Sequence, residues 1–230
     1  MRPEEGGVIV IMPTRGRPEG AAAAYESAIS SATEEGTEVV VVLDEGDPHL
    51  GEYSGALMDN AVVCGGNMVE RTNFVASAAM DRAGIIGWMA DDNRMRTQGW
   101  DRAVIEAMAD GVGFVNLNDL FWSEKAPNDK PVNTFIRTSI VRALGYFANP
   151  VMTHHFMDDT WRILGNSTDS SVYLEDVICE HLHPVNGKAE WDGSYRETED
   201  IGLIRSDQQL FMEWIWTQFK EDRLRVKSCL

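Results

Sequence analysis

Three short apolar runs limit what this chain can fold into more than any other feature. Gly6–Met12 (GGVIVIM), Glu38–Leu43 (EVVVVL) and Ile85–Ala90 (IIGWMA) are continuous in β-branched and other apolar residues and do not alternate with polar ones. A strand that is apolar at every position needs cover on both faces, which is the situation in a mostly parallel sheet between two layers of helix. Helical stretches separate the runs. Residues 19–34 are alanine-rich behind Pro18, and residues 69–83 and about 99–109 also carry helical character. A shorter strand is expected at Ala61–Cys64. Strands alternating with helices predict an α/β fold.

Each long run stops at polar residues: Pro13-Thr14-Arg15-Gly16-Arg17-Pro18, then Asp44-Glu45-Gly46-Asp47, then Asp91-Asp92-Asn93. In an open α/β sheet the carboxyl ends of the strands face the ligand crevice, so these residues are candidate site residues. Adjacent carboxylates such as Asp91 and Asp92 repel each other unless a cation joins them. A hard divalent ion held by one or two carboxylates fills its other positions with water and substrate phosphates. The competing reading is a helix start, with Asp-Asp-Asn leading into Gly99-Trp100-Asp101.

After Gly111 the pattern loosens. A strand is expected at Gly113–Leu117, a loop over Asp119–Val132, an extended piece at Thr134–Ile136 and a helix at Ser139–Tyr146. A short helix capped by Asp158 follows at Asp158–Leu164, then strands at Val172–Leu174 and Val177–His183. Residues 184–205, rich in Gly, Asn, Asp and Glu, read as a mobile loop. Leu210, Phe211, Trp214, Ile215 and Phe219 recur at helical spacing and predict the packing face of a C-terminal helix over 206–230.

The chain has 230 residues, enough for a sizeable core, and a formal net charge of −17. That charge argues against a general nucleic-acid coat or an anionic membrane surface, both of which need Lys and Arg. A local basic groove stays open, since net charge describes the whole molecule. No run of eighteen apolar residues predicts a membrane span, and the N-terminus does not read as a secretory signal. Cys64, Cys179 and Cys229 are widely spaced and fit neither a disulfide framework nor a metal motif, so a reducing cytoplasm is expected.

The order of these parts resembles small nucleotide-sugar-dependent glycosyltransferases of the GT-A fold, most closely compact versions from bacterial polysaccharide enzymes and bacteriophage genomes. The parts are strand–PTRGRP, strand–LDEGD, helix–strand–ADDN, a later MDD and then EHLHP, from about Val8 to Pro184. The resemblance implies a GT-A, Rossmann-like, mostly parallel sheet with helices on both faces and a C-terminal acceptor-side extension. It implies one domain over 1–230, with a nucleotide-sugar half at 1–118 and an acceptor half at 119–205.

It also implies roles. Pro13, Thr14, Arg15 and Arg17 would touch the nucleoside and diphosphate, as arginines and backbone N–H groups beside a helix start suit phosphate. Asp44 would accept a hydrogen bond from the base, commonly uracil, with Glu45 and Asp47 as neighbouring alternatives. Arg71 and Asn73 would contact the donor. Asp92 would bind the metal and Asp91 the ribose or sugar, or the reverse; the match to Asp-x-Asp is not literal, the sequence being Ala-Asp-Asp-Asn. His181 and His183 share a strand face and are the candidate histidine ligands. Imidazole favours Mn2+ over Mg2+, although Mg2+ also fits. Inverting members place the base in an acidic pair at the start of a short helix, which makes Asp159 the expected base and Asp158 its cap or acceptor-binding partner. By its loop composition alone, the segment 185–204 is expected to close as a lid over bound donor, with Trp191, Asp192, Tyr195 and Arg196 the residues there that could touch sugar or phosphate.

The expected reaction is therefore metal-dependent transfer from a nucleoside-diphosphate sugar, a UDP-sugar above all, to an acceptor hydroxyl with inversion. Acceptors compatible with the fold include a glycan, a lipid-linked sugar, a protein or a hydroxymethylated base in phage DNA. The DNA case needs a basic patch, for which Arg94, Arg96, Arg137, Arg142 and the C-terminal Arg223–Lys227 run are the candidates. Two other readings compete. A sugar-phosphate nucleotidyltransferase would use similar acids but a longer Gly-rich first loop, which PTRGRP matches poorly. A non-catalytic nucleotide-sugar-binding module would leave Asp158-Asp159 without a task.

Overall fold

The computed structural model describes residues 7–121 and 133–230. Its first half runs β1 (Val8–Thr14), α1 (Pro18–Ser31), β2 (Thr37–Asp44), α2 (Ala56–Asp59), β3 (Ala61–Cys64), α3 (Met68–Ala79), β4 (Ile85–Trp88), β5 (Asn93–Met95) and α4 (Trp100–Ala107). The second half continues with β6 (Phe114–Asn118), β7 (Thr134–Arg137), α5 (Thr138–Leu144), α6 (Met157–Ser167), β8 (Ser171–His181), α7 (Gly193–Thr198), α8 (Ile201–Thr217) and α9 (Phe219–Lys227).

The strands form an eight-stranded sheet in the order β3-β2-β1-β4-β7-β6-β8-β5. The β3-β2-β1-β4 half is parallel. Beyond it β7 runs antiparallel to both β4 and β6, β8 parallel to β6, and β5 antiparallel to β8. The sheet is thus parallel where the apolar runs are continuous and mixed where they are not. Every residue of β1 is buried, as a strand covered on both faces requires. Its side chains divide by parity. Ile9 and Ile11 pack with α3, α5, α6 and α8, whereas Val8, Val10 and Met12 pack with α1, α2 and α4.

Several expectations change in the structure. The two strands expected at 172–174 and 177–183 are one, β8, whose pairing with β6 shifts register between Leu117 and Asn118. Residues 184–205 are not a loop. They contain a 3-10 turn at Pro184–Asn186, the helix α7 and the start of α8. Both helices begin at aspartates the composition had assigned to loop: Asp192 accepts from the Tyr195 N–H, and Asp200 accepts from the N–H groups of Gly202 and Leu203. The C-terminal helix is two helices, broken at Gln218. Asp158 is not a cap. Phe156 holds the N-cap position of α6 in a left-handed conformation (φ 64°), with no side-chain cap bond. Most of the loop expected at 119–132 lies outside the described residues.

Candidate active site

The carboxyl ends of β1, β2 and β4 open onto a cleft of about 740 Å3, closed on its far side by the start of α6, the end of β8 and α7. Among the sequence-predicted site residues, Pro13, Thr14, Arg15, Arg17, Asp44, Arg71, Asp91, Asp92, Asp158, Asp159, His181 and His183 all line it. Asn73 does not. Its amide Nδ2 donates to the Ala148 carbonyl (2.7 Å), and its Oδ1 accepts from the N–H groups of Phe147 and Ala148 (2.9 Å each). All its polar atoms clamp the loop after α5, so none is left for a donor.

The loop after β1 is held by Asp47. This buried carboxylate accepts from the Gly16 N–H (2.7 Å), the His49 N–H (2.8 Å) and the Tyr53 hydroxyl (2.8 Å). Burial opposes its charge, but those bonds outweigh it and hold its carboxyl below the usual range. Asp47 is thus occupied in shaping the loop. Asp44 faces the cleft, fixed by Arg71 (2.8 Å) and Arg15 (3.3 Å).

Asp91 and Asp92 sit in the turn after β4 and are electrostatically unlike. Asp91 accepts from the Thr14 hydroxyl (2.7 Å) and from Arg17 (3.1 Å). Burial first, and the charge of Asp92 second, push its carboxyl above the usual range. Asp92 is also buried, yet the hydrogen bond and charge of His181 more than offset that and hold it low. Its Oδ2 lies 3.2 Å from His181 Nε2 and accepts from the Tyr195 hydroxyl (3.0 Å).

Asp92 Oδ1 and His181 Nδ1 are buried without a hydrogen-bond partner. An orphaned carboxylate oxygen is costly in a protein interior, and an acidic oxygen beside an imidazole is the donor set a divalent cation takes. Asp92 and His181 therefore fit such an ion. His183, the third expected ligand, stands beside them with its ring centre 5.2 Å from that of His181. His183 Nε2 faces Glu199 at 3.9 Å, and its Nδ1 accepts from the Val185 N–H. Among the described residues no group of three or more His, Cys, Asp or Glu is arranged as a metal site.

The helix α7 closes the cleft through charge. Arg17 donates to both oxygens of Asp192 (2.8 and 2.9 Å), and its guanidinium lies 3.5 Å from the centre of the Tyr195 ring. Arg15 pairs with Glu197. Opposite, at the start of α6, the acidic pair divides. Asp159 is paired with Arg162 one turn on (2.8 Å). Both aspartates line the cleft, and burial, followed by the charge of Asp159, pushes the Asp158 carboxyl well above the usual range.

The loop before α6 brings in residues the sequence reading passed over. His154 and His155 line the cleft immediately before Phe156. Burial pushes His154 down to about 4, so its ring is neutral near pH 7. A His-His step directly ahead of an acidic pair was the available signal. The residue that shapes this loop, Asp207 of α8, carried none.

No protein-family model and no curated protein matches the chain. Solved structures do. The mannosyltransferase PcManGT from Pyrobaculum calidifontis, in complex with GDP-Man and Mn2+, matches with a TM-score of 0.59 at 14% identity, over 100% of this chain and 74% of that one. S. aureus TarS 1-349 in complex with UDP-GlcNAc matches with a TM-score of 0.62 at 11% identity, over 96% and 70%. This chain has the GT-A fold. A third GT-A match is glucosyl-3-phosphoglycerate synthase from Mycobacterium tuberculosis, in complex with Mn2+, UDP-Glc and phosphoglyceric acid. Its TM-score is 0.59 at 11% identity, over 90% of this chain and 80% of that one. The GT-A cleft here opens where the strand-end rule places it, and among the described residues no helix is long and apolar enough to cross a membrane.

Proposed function

We propose that this protein is a metal-dependent glycosyltransferase that uses a nucleoside-diphosphate sugar, with UDP-sugars the first donors to test. The reading is carried by one juxtaposition: three arginines, a buried Asp92–His181 pair and an acidic helix start face one cleft at the strand ends of a GT-A sheet. The matched proteins bind GDP-Man, UDP-GlcNAc or UDP-Glc, and two of them Mn2+, which supports the donor class and a divalent ion.

In this reading Asp44, fixed by Arg71 and Arg15, accepts a hydrogen bond from the base. Asp91, oriented by Thr14 and Arg17, receives ribose or sugar hydroxyls. Arg15 and Arg17 meet the diphosphate by exchanging the carboxylates of Glu197 and Asp192 for phosphate oxygens, so donor entry and α7 movement are linked. A divalent cation held by Asp92 and His181 would supply positive charge that stabilises the departing diphosphate.

The acceptor hydroxyl loses its proton to the acidic pair of α6. A base works best when its pKa lies near the working pH. That favours Asp158, with its raised pKa, over the Arg162-paired Asp159 that alignment of the pair singles out. With one base opposite the leaving group, the displacement inverts the anomeric centre.

The test is thermal stability with UDP, GDP, CDP and TDP, each with Mn2+ or EDTA. A ligand at a hundred times its dissociation constant contributes about 2.7 kcal/mol to the native state. Selective stabilisation by one diphosphate, lost in EDTA and in Asp92→Asn, is the expected result. No shift with any of the four would overturn the reading.

A further inference from the structure

The acceptor has so far been only a hydroxyl. We infer that it is an uncharged carbohydrate rather than nucleic acid or a phosphate-bearing polymer, an inference that rests on the glycosyl-transfer reading above. Two independent sets of observations carry it.

The first is the state of the arginines a DNA-binding version would use. Arg96 is paired with Glu180 (2.8 Å), and Arg142 with Asp81 (3.2 Å). Arg94 donates to the carbonyls of Asp91 and Asn93 (3.0 and 2.7 Å). Arg137 is bound by the carbonyls of Met108, Ala109 and Val112. In the C-terminal run Arg223 donates to the Ser167 carbonyl and Arg225 pairs with Glu221. A phosphate contact by these arginines competes with the bonds that hold them inside the protein. Among the described residues these arginines are thus each held by a carboxylate or a carbonyl, on a chain of net charge −17. Nucleic-acid affinity comes chiefly from cations that release counterions from phosphates, and here those cations are engaged.

The second is the charge of the cleft wall away from the donor. The lining arginines, Arg15, Arg17 and Arg71, stand at the β1 and β2 loops and on α3, all on the donor side. The wall made by the loop before α6, α6 itself and the end of α7 presents Asp158, Asp159 and Glu199. Among the described residues the arginine paired with this wall is Arg162, held by Asp159. His154, pushed down to about 4 by burial, brings no compensating charge, and His155 Nε2 is turned to the Thr198 carbonyl (2.7 Å). A phosphate or carboxylate placed against this wall would meet Glu199 and the acidic pair of α6, whose arginine neighbour is already taken by Asp159. Sugar hydroxyls would instead find carboxylate acceptors, and the apolar sugar faces would meet Phe156 and Leu203.

The test uses the whole chain loaded with whichever diphosphate and metal stabilise it. Failure at that loading step would count against the donor reading and is recorded separately. Saturation-transfer NMR is then run with a panel of neutral methyl glycosides and disaccharides, against glycerol phosphate and a duplex of hydroxymethylated DNA. The expected result is transfer to at least one neutral sugar that changes less than twofold between 50 and 300 mM salt. No transfer to glycerol phosphate, and no DNA binding by fluorescence anisotropy at low salt, are expected alongside it. Binding of either anionic probe with a falling salt dependence would overturn the inference, and so would silence from every neutral sugar on the loaded protein.

Discussion

Asp207 offers the sharpest test of how the acceptor side is built. This carboxylate of α8 is fully buried and has no candidate chemistry of its own. It accepts from the N–H groups of Thr153 (3.2 Å), His154 (2.8 Å) and His155 (2.8 Å), and from the Thr153 hydroxyl (2.9 Å). The loop it gathers leads through the left-handed Phe156 into Asp158 and Asp159. Asp207→Ala leaves three backbone donors without their acceptor. Hydrogen bonds to a charged group contribute about 1.5–3 kcal/mol each, so the two shortest bonds alone suggest roughly 3–6 kcal/mol. Water entering from the cleft re-satisfies part of this, which puts the expected loss near ~4 kcal/mol. For a chain of this length that corresponds to a fall in melting temperature of roughly 8–16 °C. Asp207→Asn keeps one acceptor oxygen and should lose about half as much. Urea unfolding at unchanged m-value measures the stability term. Folded Asp207→Asn should also lose turnover while keeping diphosphate-dependent stabilisation, because the displaced loop feeds the base and not the donor side. An Asp207→Ala protein within ~1 kcal/mol of wild type would refute the reasoning.

Four other outcomes are expected. Asp158→Asn should lower turnover by roughly 10²–10⁴-fold with donor binding retained. In the wild type the rate should rise with pH through a value above the ordinary carboxylate range, because burial of Asp158 and the charge of Asp159 raise the pKa of a group that works ionised. Asp101, fully buried on α4, accepts from the N–H groups of Thr33 and Glu34 and from the Thr37 hydroxyl, and these bonds outweigh its burial and hold its carboxyl below the usual range. A lowered folded-state value means its stabilisation is present above the unfolded-state value and lost as pH falls through the folded one. The stability gap between wild type and Asp101→Asn, followed by urea unfolding, should therefore shrink as the pH is lowered below the ordinary carboxylate range. Finally, Gly87 of β4 lies against the Phe135 ring, with which a Cβ would collide. Gly87→Ala should cost about 1–3 kcal/mol by overpacking, read as a lower urea midpoint.

Much of the parallel half of this fold was legible in the chain itself. Runs such as VVVVL and IIGWMA are apolar at every position, and that pattern has few solutions besides a strand covered on both faces. Because strand ends face the crevice, the same runs also located Thr14, Asp44, Asp91 and Asp92 on one side of the sheet. The second half was less legible. Residues 171–181 form one strand with a register shift, a feature set by pairing with β6 and not by local composition. Residues 184–205 read as loop because their helices are held by Asp caps and by pairs such as Arg17–Asp192, with 175 positions between the partners.

The finer roles belonged to the tertiary structure. Asp44 and Asp47 are near neighbours with identical side chains, and only the packing of Gly16 and Tyr53 makes one a loop brace and leaves the other facing the cleft. Asn73 looked like a donor contact until residues 147–148 were brought against it. Asp158 and Asp159 differ because one is paired along its helix with Arg162 and the other is left buried beside that charge. Hydrophobic periodicity is a property of neighbours in sequence, so the chain alone determined its strands and the edge at which chemistry gathers. The state of a carboxylate or an arginine depends on what lies within a few ångströms of it in space, and that only the folded chain decided.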